Sequence, residues 1–465
     1  MEEERRDILN KNLGQLLLKF SYPAITALVF GALYNMVDTI FIGKSVGPVG
    51  IAALTIVLPV MMVMWAIGFM VGAGASSIIS RNLGAGNRRV AVRTGANAII
   101  LNTVIGLAFM IPCYLFLERL LKFFGASDNV LPYAMDYASI VLIGFILYSF
   151  DAFARMAIKA EGKPRASMYP TVFGAVLNII LDAVFVIVLK MGIRGAAIAT
   201  VISQALTLAY ILLFFRFGKS IYKFTFSDFK INWKLIWETL KIGISSFLMV
   251  AIDGFIILVF NRVIMKYGND VYIAIVGIVI RFIDLTVMPI IGITQGFSTI
   301  VGFNYGAKQY ERVKRILANT IIWNTVYSFI IFIIMMAFPS QLISIFSGDP
   351  EFIRLGITPF RILIILYPLW SLQLLGGTFF QAIGKALPAT IITLSRQLLF
   401  LLPAVFFFPM VWGLKGLWFT WPFSDFMYVI VFIIFITWEL RIINRMIKKN
   451  ILESDLEIAG DLLKS

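Results

Sequence analysis

Apolar stretches long enough to cross a bilayer recur from one end of the chain to the other, separated by short basic segments. A bilayer core takes about 20 predominantly apolar residues of helix. The pattern predicts about twelve such helices, over 14–42, 48–79, 92–117, 133–160, 168–190, 194–216, 239–265, 271–301, 316–339, 356–384, 389–411 and 414–440. The short alternating strands that mark a membrane barrel are absent from the sequence. The expected fold class is an all-α polytopic membrane protein. Pro23, inside the first span, removes a backbone donor and predicts a helix kink there.

Composition agrees. The 465 residues are 60% hydrophobic and 14% charged, and the mean hydropathy is +0.91. A net charge of +15 would point to nucleic acid in a soluble chain. Here the basic residues gather in alternate short connections: Arg81, Arg88, Arg89 and Arg93; Lys159, Lys163 and Arg165; Lys308, Arg312, Lys314 and Arg315. The positive-inside rule then predicts both termini in the cytoplasm and a multi-pass location in the cell (inner) membrane. The charged start MEEERRDILNKN leads straight into the first span and is not expected to be a cleavable signal. Cys113 is the single cysteine, so no internal disulfide is expected. With no histidine, proton coupling has to use carboxylates. Gly43-Lys44-Ser45 ends like a phosphate loop, but Asp38 stands where that pattern needs Gly. Neither nucleotide nor nucleic acid is expected as a partner, no cofactor is called for, and the chain is not expected to be an enzyme.

The chain repeats itself. Asn82-Leu-Gly84-Ala85 recurs as Asn304-Tyr-Gly306-Ala307, Ala160-Glu-Gly162-Lys163 as Ala382-Ile-Gly384-Lys385, and Gly192-Ile-Arg-Gly195 as Gly413-Leu-Lys-Gly416. The offset stays near 222 residues. Each half holds an even number of spans, so the repeats are parallel. The expected architecture is twelve transmembrane helices in two pseudo-symmetric six-helix lobes around a central cavity. Its parts are an N-terminal lobe (1–217), an amphipathic cytoplasmic linker (218–238), a C-terminal lobe (239–440) and a cytoplasmic tail (441–465). Such an architecture with charges at bilayer depth describes a secondary transporter.

The candidate chemistry centres on AVLNIILDAVFVIVLKMGIRGAAIAT, residues 175–200. Asp182 lies in an apolar run, where a charge costs at least about 2.5 kcal/mol. Asn178 is one helical turn earlier on the same face, Thr200 follows on the next span, and Asp38 sits in the first. These are hard oxygen donors that suit a proton or a small cation. The alternative is that Asn178 and Asp182 only hold helices together. The second half carries Asp253, Arg281, Asp284, Arg396 and Asp425, from which one or more Asp/Arg pairs are expected.

The stretches YNMVDTIFIG (34–43), ISRNLGAGN (79–87), KAEGKP (159–164), LNIILD (177–182), GIRGAAIAT (192–200) and GITQGFSTIVGFNYGAKQYERVKR (292–315) resemble the multidrug and toxic compound extrusion (MATE) family along essentially the whole chain. The prokaryotic DinF-like branch is the most similar. The resemblance implies a monomeric antiporter that exports amphipathic, cationic drugs or metabolites against entry of Na+ or H+. It implies a cation site at Asp38, Asn178, Asp182 and Thr200, with the Ala196 carbonyl, and a substrate cavity touched by Tyr34, Tyr137, Arg155 and Asp253. Arg155 stands where the family often has Asn, and either lines the lumen or pairs with Asp151. The partner carboxylate of Asp253 expected in span ten is replaced by Leu369-Trp370-Ser371-Leu372-Gln373, which speaks against a complete cation site in the second lobe. A lipid-linked oligosaccharide or lipid flippase of the same superfamily is the alternative function, and would show a more cationic lumen.

Overall fold

The computed structural model describes residues 2–346 and 349–462, with side chains described for all of these except residues 2, 48, 258, 270 and 451–462. A short helix, α1 (Glu2–Asn10), precedes the first long one. The long helices of the first half are α2 (Leu13–Val46), α3 (Pro48–Gly84) and α4 (Arg88–Leu115) and, after the short α5 (Leu117–Phe123), α6 (Leu131–Ala160), α7 (Pro164–Asp182) and α8 (Gly192–Phe217). The second half holds α9 (Trp233–Tyr267), α10 (Asp270–Gly306), α11 (Tyr310–Ala337), the short α12 (Pro339–Ser344), α13 (Pro350–Ile364), α14 (Tyr367–Ala382), α15 (Ala386–Leu394) and α16 (Leu402–Leu462).

Among the described residues, ten helical runs are long and apolar enough to cross a membrane, or eleven if α13 and α14 count as one span. Two departures from the expected spans have local causes. Span ten is broken into α13 and α14, bent by 44°, where Pro368 opens α14 and cannot donate to the preceding turn. Spans eleven and twelve fall in one run, 386–450, interrupted at Gly413, whose φ of 59° and ψ of −144° are not helical. The run folds back on itself at that point. Arg396 and Asp425 touch at 2.5 Å, whereas an unbroken helix would hold residues 29 apart about 44 Å from each other. Glycine permits the turn because it carries no Cβ to clash at positive φ.

The first-half helices pack on one another through α3 with α6, α6 with α8 and α2 with α7. The second-half helices pack through α10 with α11 and α11 with α14. The halves meet where α3 lies against α9 and α10, and α2 against α10. That contact is reciprocal. A Cβ on Gly84 would overlap the Phe303 carbonyl, and one on Gly306 would overlap the Arg81 carbonyl. Only glycine lets these two backbones approach so closely. α1 reinforces the same end: Arg5 donates to the Gly84 carbonyl at 3.0–3.1 Å, and Arg312 to the Lys11 carbonyl at 2.8 Å. Asn450 donates to the Lys308 carbonyl, so α1 and the part of α16 around Asn450 approach one end of the bundle, and that end is closed.

The stretch 218–238, expected as an amphipathic linker, is a folded strap. Its last residues already belong to α9, because Asn232 caps that helix by accepting from the Lys234 and Leu235 amides. A single 3-10 turn, Phe226–Phe229, carries the Thr225–Asp228 capping box. Ser220, Ile221 and Tyr222 are buried. Glu161, fully buried just after α6, accepts from the Ser220 hydroxyl at 2.5 Å and pairs with Lys163 at 2.9 Å. The segment 441–462 continues α16, and residues 463–465 lie outside the described residues.

Candidate functional site

Asp38 on α2, Asn178 and Asp182 on α7, and Thr200 on α8 are all buried. The one-turn spacing of Asn178 and Asp182 puts them on the same face, and Asn178 Nδ2 reaches Thr200 Oγ1 at 3.5 Å. Tyr137 on α6 lies close to the Thr200 hydroxyl and within electrostatic reach of both carboxylates. Asp38 and Asp182 also feel each other's charge. Ala196, one turn before Thr200, is fully buried.

The polar atoms here are unequally served. Asp38 Oδ1, Asn178 Oδ1 and both carboxylate oxygens of Asp182 are buried without a hydrogen-bond donor. No lysine or arginine lies within 4 Å of either carboxylate among the described residues. A buried acceptor without a donor is costly, and a buried carboxylate more so. Residues that served only to hold helices together would use their oxygens on each other. α7 passes immediately after Asp182 into a wide π-turn, Ala183–Val188, in which the Leu189 amide reaches back to the Val184 carbonyl. Such wide turns shift the helical register and are frequent at functional sites.

Of the residues expected at the cavity, Tyr34 is half-buried and lies within electrostatic reach of Asp38, Arg155 and Asp151. Tyr137 is placed with the oxygen cluster, packed among Ala134, Ala138 and Val141, rather than on an open wall. Arg155 satisfies both alternatives: it pairs with Asp151 at 2.8 Å, donates to the Thr171 hydroxyl at 2.8 Å, and lines a cavity around Pro23. Asp253 is exposed and accepts from Gln397 at 3.1 Å. The expected Asp/Arg pairing is met by Arg396 and Asp425, whose side chains are 9% and 7% exposed. Arg281 and Asp284 are exposed and do not join in an ion pair among the described residues.

Sequence reasoning missed the role of Lys159, counting it with the loop after span four. It lies instead in the last turn of α6, 8% exposed, and donates to Gln295 of the second half at 2.9 Å. No signal in the sequence sets it apart, because a basic residue beside the Gly162 loop reads as solvated.

The MatE family model matches the chain twice, over residues 23–184 and 245–406. The two matches are offset by the same 222 residues as the sequence repeat. The multidrug export protein MepA of Staphylococcus haemolyticus is 26% identical over 87% of this chain and 89% of its own length. MepA of Staphylococcus aureus strain MSSA476 is 25% identical over 90% and 92%. Among solved structures, a MOP superfamily transporter from Pyrococcus furiosus superposes with a TM-score of 0.87 at 24% identity, covering 95% of this chain and 98% of that one. A MATE transporter in a bent conformation gives 0.89 at 23% identity, with 96% and 98% covered. The chain is a multi-pass membrane transporter for small molecules, not an enzyme, and it belongs to the MatE family of multidrug and toxic compound extrusion transporters.

Proposed function

We propose that this chain is a cation-coupled antiporter of the DinF-like branch, exporting amphipathic small molecules, cationic ones among them, by alternating access. The bundle is read as twelve spans in two six-helix lobes, supported by the fold-back at Gly413 and by the doubled family match at one offset. Both termini are cytoplasmic in this reading. The closed end is then the inner one, and the conformation faces outward.

One observation carries the coupling: four buried oxygens on Asp38, Asn178 and Asp182 have no donor. Na+ or H+ is the substrate that would serve them. Either one lowers the net charge that makes the cluster expensive in a low-dielectric interior. The outward state takes up the cation, and the altered packing of α2 around Pro23 lowers affinity for the exported molecule. The inward state releases the cation and binds the next molecule. Coupling requires that the two states differ in affinity for each ligand, and a site that is satisfied only when loaded provides that difference.

The test is efflux of a fluorescent cationic dye from proteoliposomes under separately imposed Na+ and H+ gradients. Efflux should follow one gradient, and Asp182→Asn and Asp38→Asn should each reduce the driven rate at least about tenfold while dye binding persists. Full driven efflux by Asp182→Asn would overturn the coupling assignment.

A further inference from the structure

The cavity around Pro23 is distinct from the oxygen cluster. Pro23 and Asp38 are fifteen residues apart on α2, about 22 Å of helix. The cavity holds about 120 Å³ and opens between α2, α3, α6, α7 and α10. Its polar lining is Tyr148, Arg155, Lys159, Ser167, Thr171 and Gln295. No carboxylate lines it. Arg155 is balanced by Asp151; Lys159 is not balanced. Among the described residues its side-chain partner is the neutral amide of Gln295, and no carboxylate lies within 4 Å of it. An ammonium carries three donors, so one acceptor leaves two N–H groups and a full charge without an answer in a site that is more than nine-tenths buried. The first turn of α7, with Pro164 and Ser167 on the cavity wall, presents the positive end of that helix to the same space.

We propose that this cavity receives the anionic group, a carboxylate or a phosphate, of an amphipathic transported molecule, with Lys159 as its counter-ion. The Thr171 hydroxyl accepts from Arg155 and keeps its own proton to donate to the anion. The volume suits a head group, since a whole drug-sized ligand needs at least about 300 Å³. The apolar body lies along Phe69, Tyr148 and Met156 toward the space between the halves. An anion on Lys159 takes up the N–H groups that Gln295 leaves free, at the point where a hydrogen bond ties α6 of the first half to α10 of the second. The inference rests on the export reading and names a substrate class for it.

The experiment compares dansylaminohexanoic acid with its uncharged amide, titrated against the full chain in phosphatidylcholine nanodiscs. The wild type is expected to bind the acid at least about tenfold more tightly, a difference of about 1.4 kcal/mol. Lys159→Gln should erase that preference while still binding the amide, and Lys159→Arg should keep most of it. Equal affinities for acid and amide in the wild type, or a preference that survives Lys159→Gln, would overturn the inference. The wild-type comparison decides even if Lys159→Gln does not fold. Repeating it with a third of the lipid replaced by phosphatidylglycerol separates the sources. An acid preference lost there marks a lipid phosphate as the occupant, and one retained marks a soluble amphiphile. Dye efflux is measured in parallel. Efflux of the cationic dye without acid preference removes only this inference, whereas acid preference with efflux of neither the dye nor the acid removes the export reading.

Discussion

At the scale of single residues, burial separates charges that bind the fold together from charges left for a ligand. Arg396 and Asp425 belong to the first kind: they meet at 2.5 Å, and the guanidinium also lies over the Trp421 ring, 6.0 Å from its centroid. Removing one partner strands the other. Arg396→Met should therefore destabilise the protein by about 3–5 kcal/mol, and the double variant Arg396→Met/Asp425→Leu should recover much of that. Thermal unfolding in detergent measures both, and a double variant no better than the single would contradict the pairing argument. Asp38 and Asp182 belong to the second kind, with oxygens that no donor answers. Their candidacy was legible in the sequence, because a carboxylate inside a twenty-residue apolar run is costly wherever the helix packs. Lys159 was not legible, because a basic residue next to a loop signal looks solvated until the neighbouring helices are in place.

At the scale of elements, the apolar runs located the helices well and their interruptions less well. The break between α13 and α14 and the π-turns after Asp182 and at Ser395–Leu401 depend on local hydrogen-bond register, to which a hydropathy window is blind. The strap between the halves is the clearest case. Its amphipathic pattern suggested a linker lying on the surface, yet Ser220 and the Ile221 amide turn inward to Glu161. Burial pushes the Glu161 carboxyl above its ordinary value, against the opposing pull of Lys163 and Ser220. A raised carboxyl contributes stability that is complete below its unfolded value and lost as pH rises through the folded one. The wild type should accordingly gain stability over Glu161→Gln as pH is lowered toward the ordinary carboxylate range. Melting temperatures across that range test the sign, and a gain that grows with rising pH would refute it.

At the scale of the whole molecule, the two halves are held shut at one end by paired glycines. Gly84 rests on the Phe303 carbonyl and Gly306 on the Arg81 carbonyl, equivalent contacts related by the 222-residue repeat. A single methyl at either position has backbone in its way, so the halves must separate to admit it. Gly84→Ala and Gly306→Ala should both shift the population toward the state open at this end. Spin labels at Asn87 and Lys308, in a background lacking Cys113, would report this as a longer distance distribution. An unchanged distribution in both variants would show that the seam does not set the conformational balance.

The sequence by itself determined that the chain is a helical membrane protein, that it is built from two copies of one unit, and that a small set of oxygens in the first copy is out of place in a bilayer. Those properties follow from transfer energies and from residue spacing along one helix, which are local. Tertiary structure alone decided which of the buried polar groups find partners. It paired Arg396 with Asp425, left Asp38 and Asp182 without donors, and enclosed Lys159 against a neutral amide. It also decided which end of the bundle is closed. Both outcomes depend on contacts between helices distant in sequence, and the value of a charge or a glycine there is set by what the other helix brings to it.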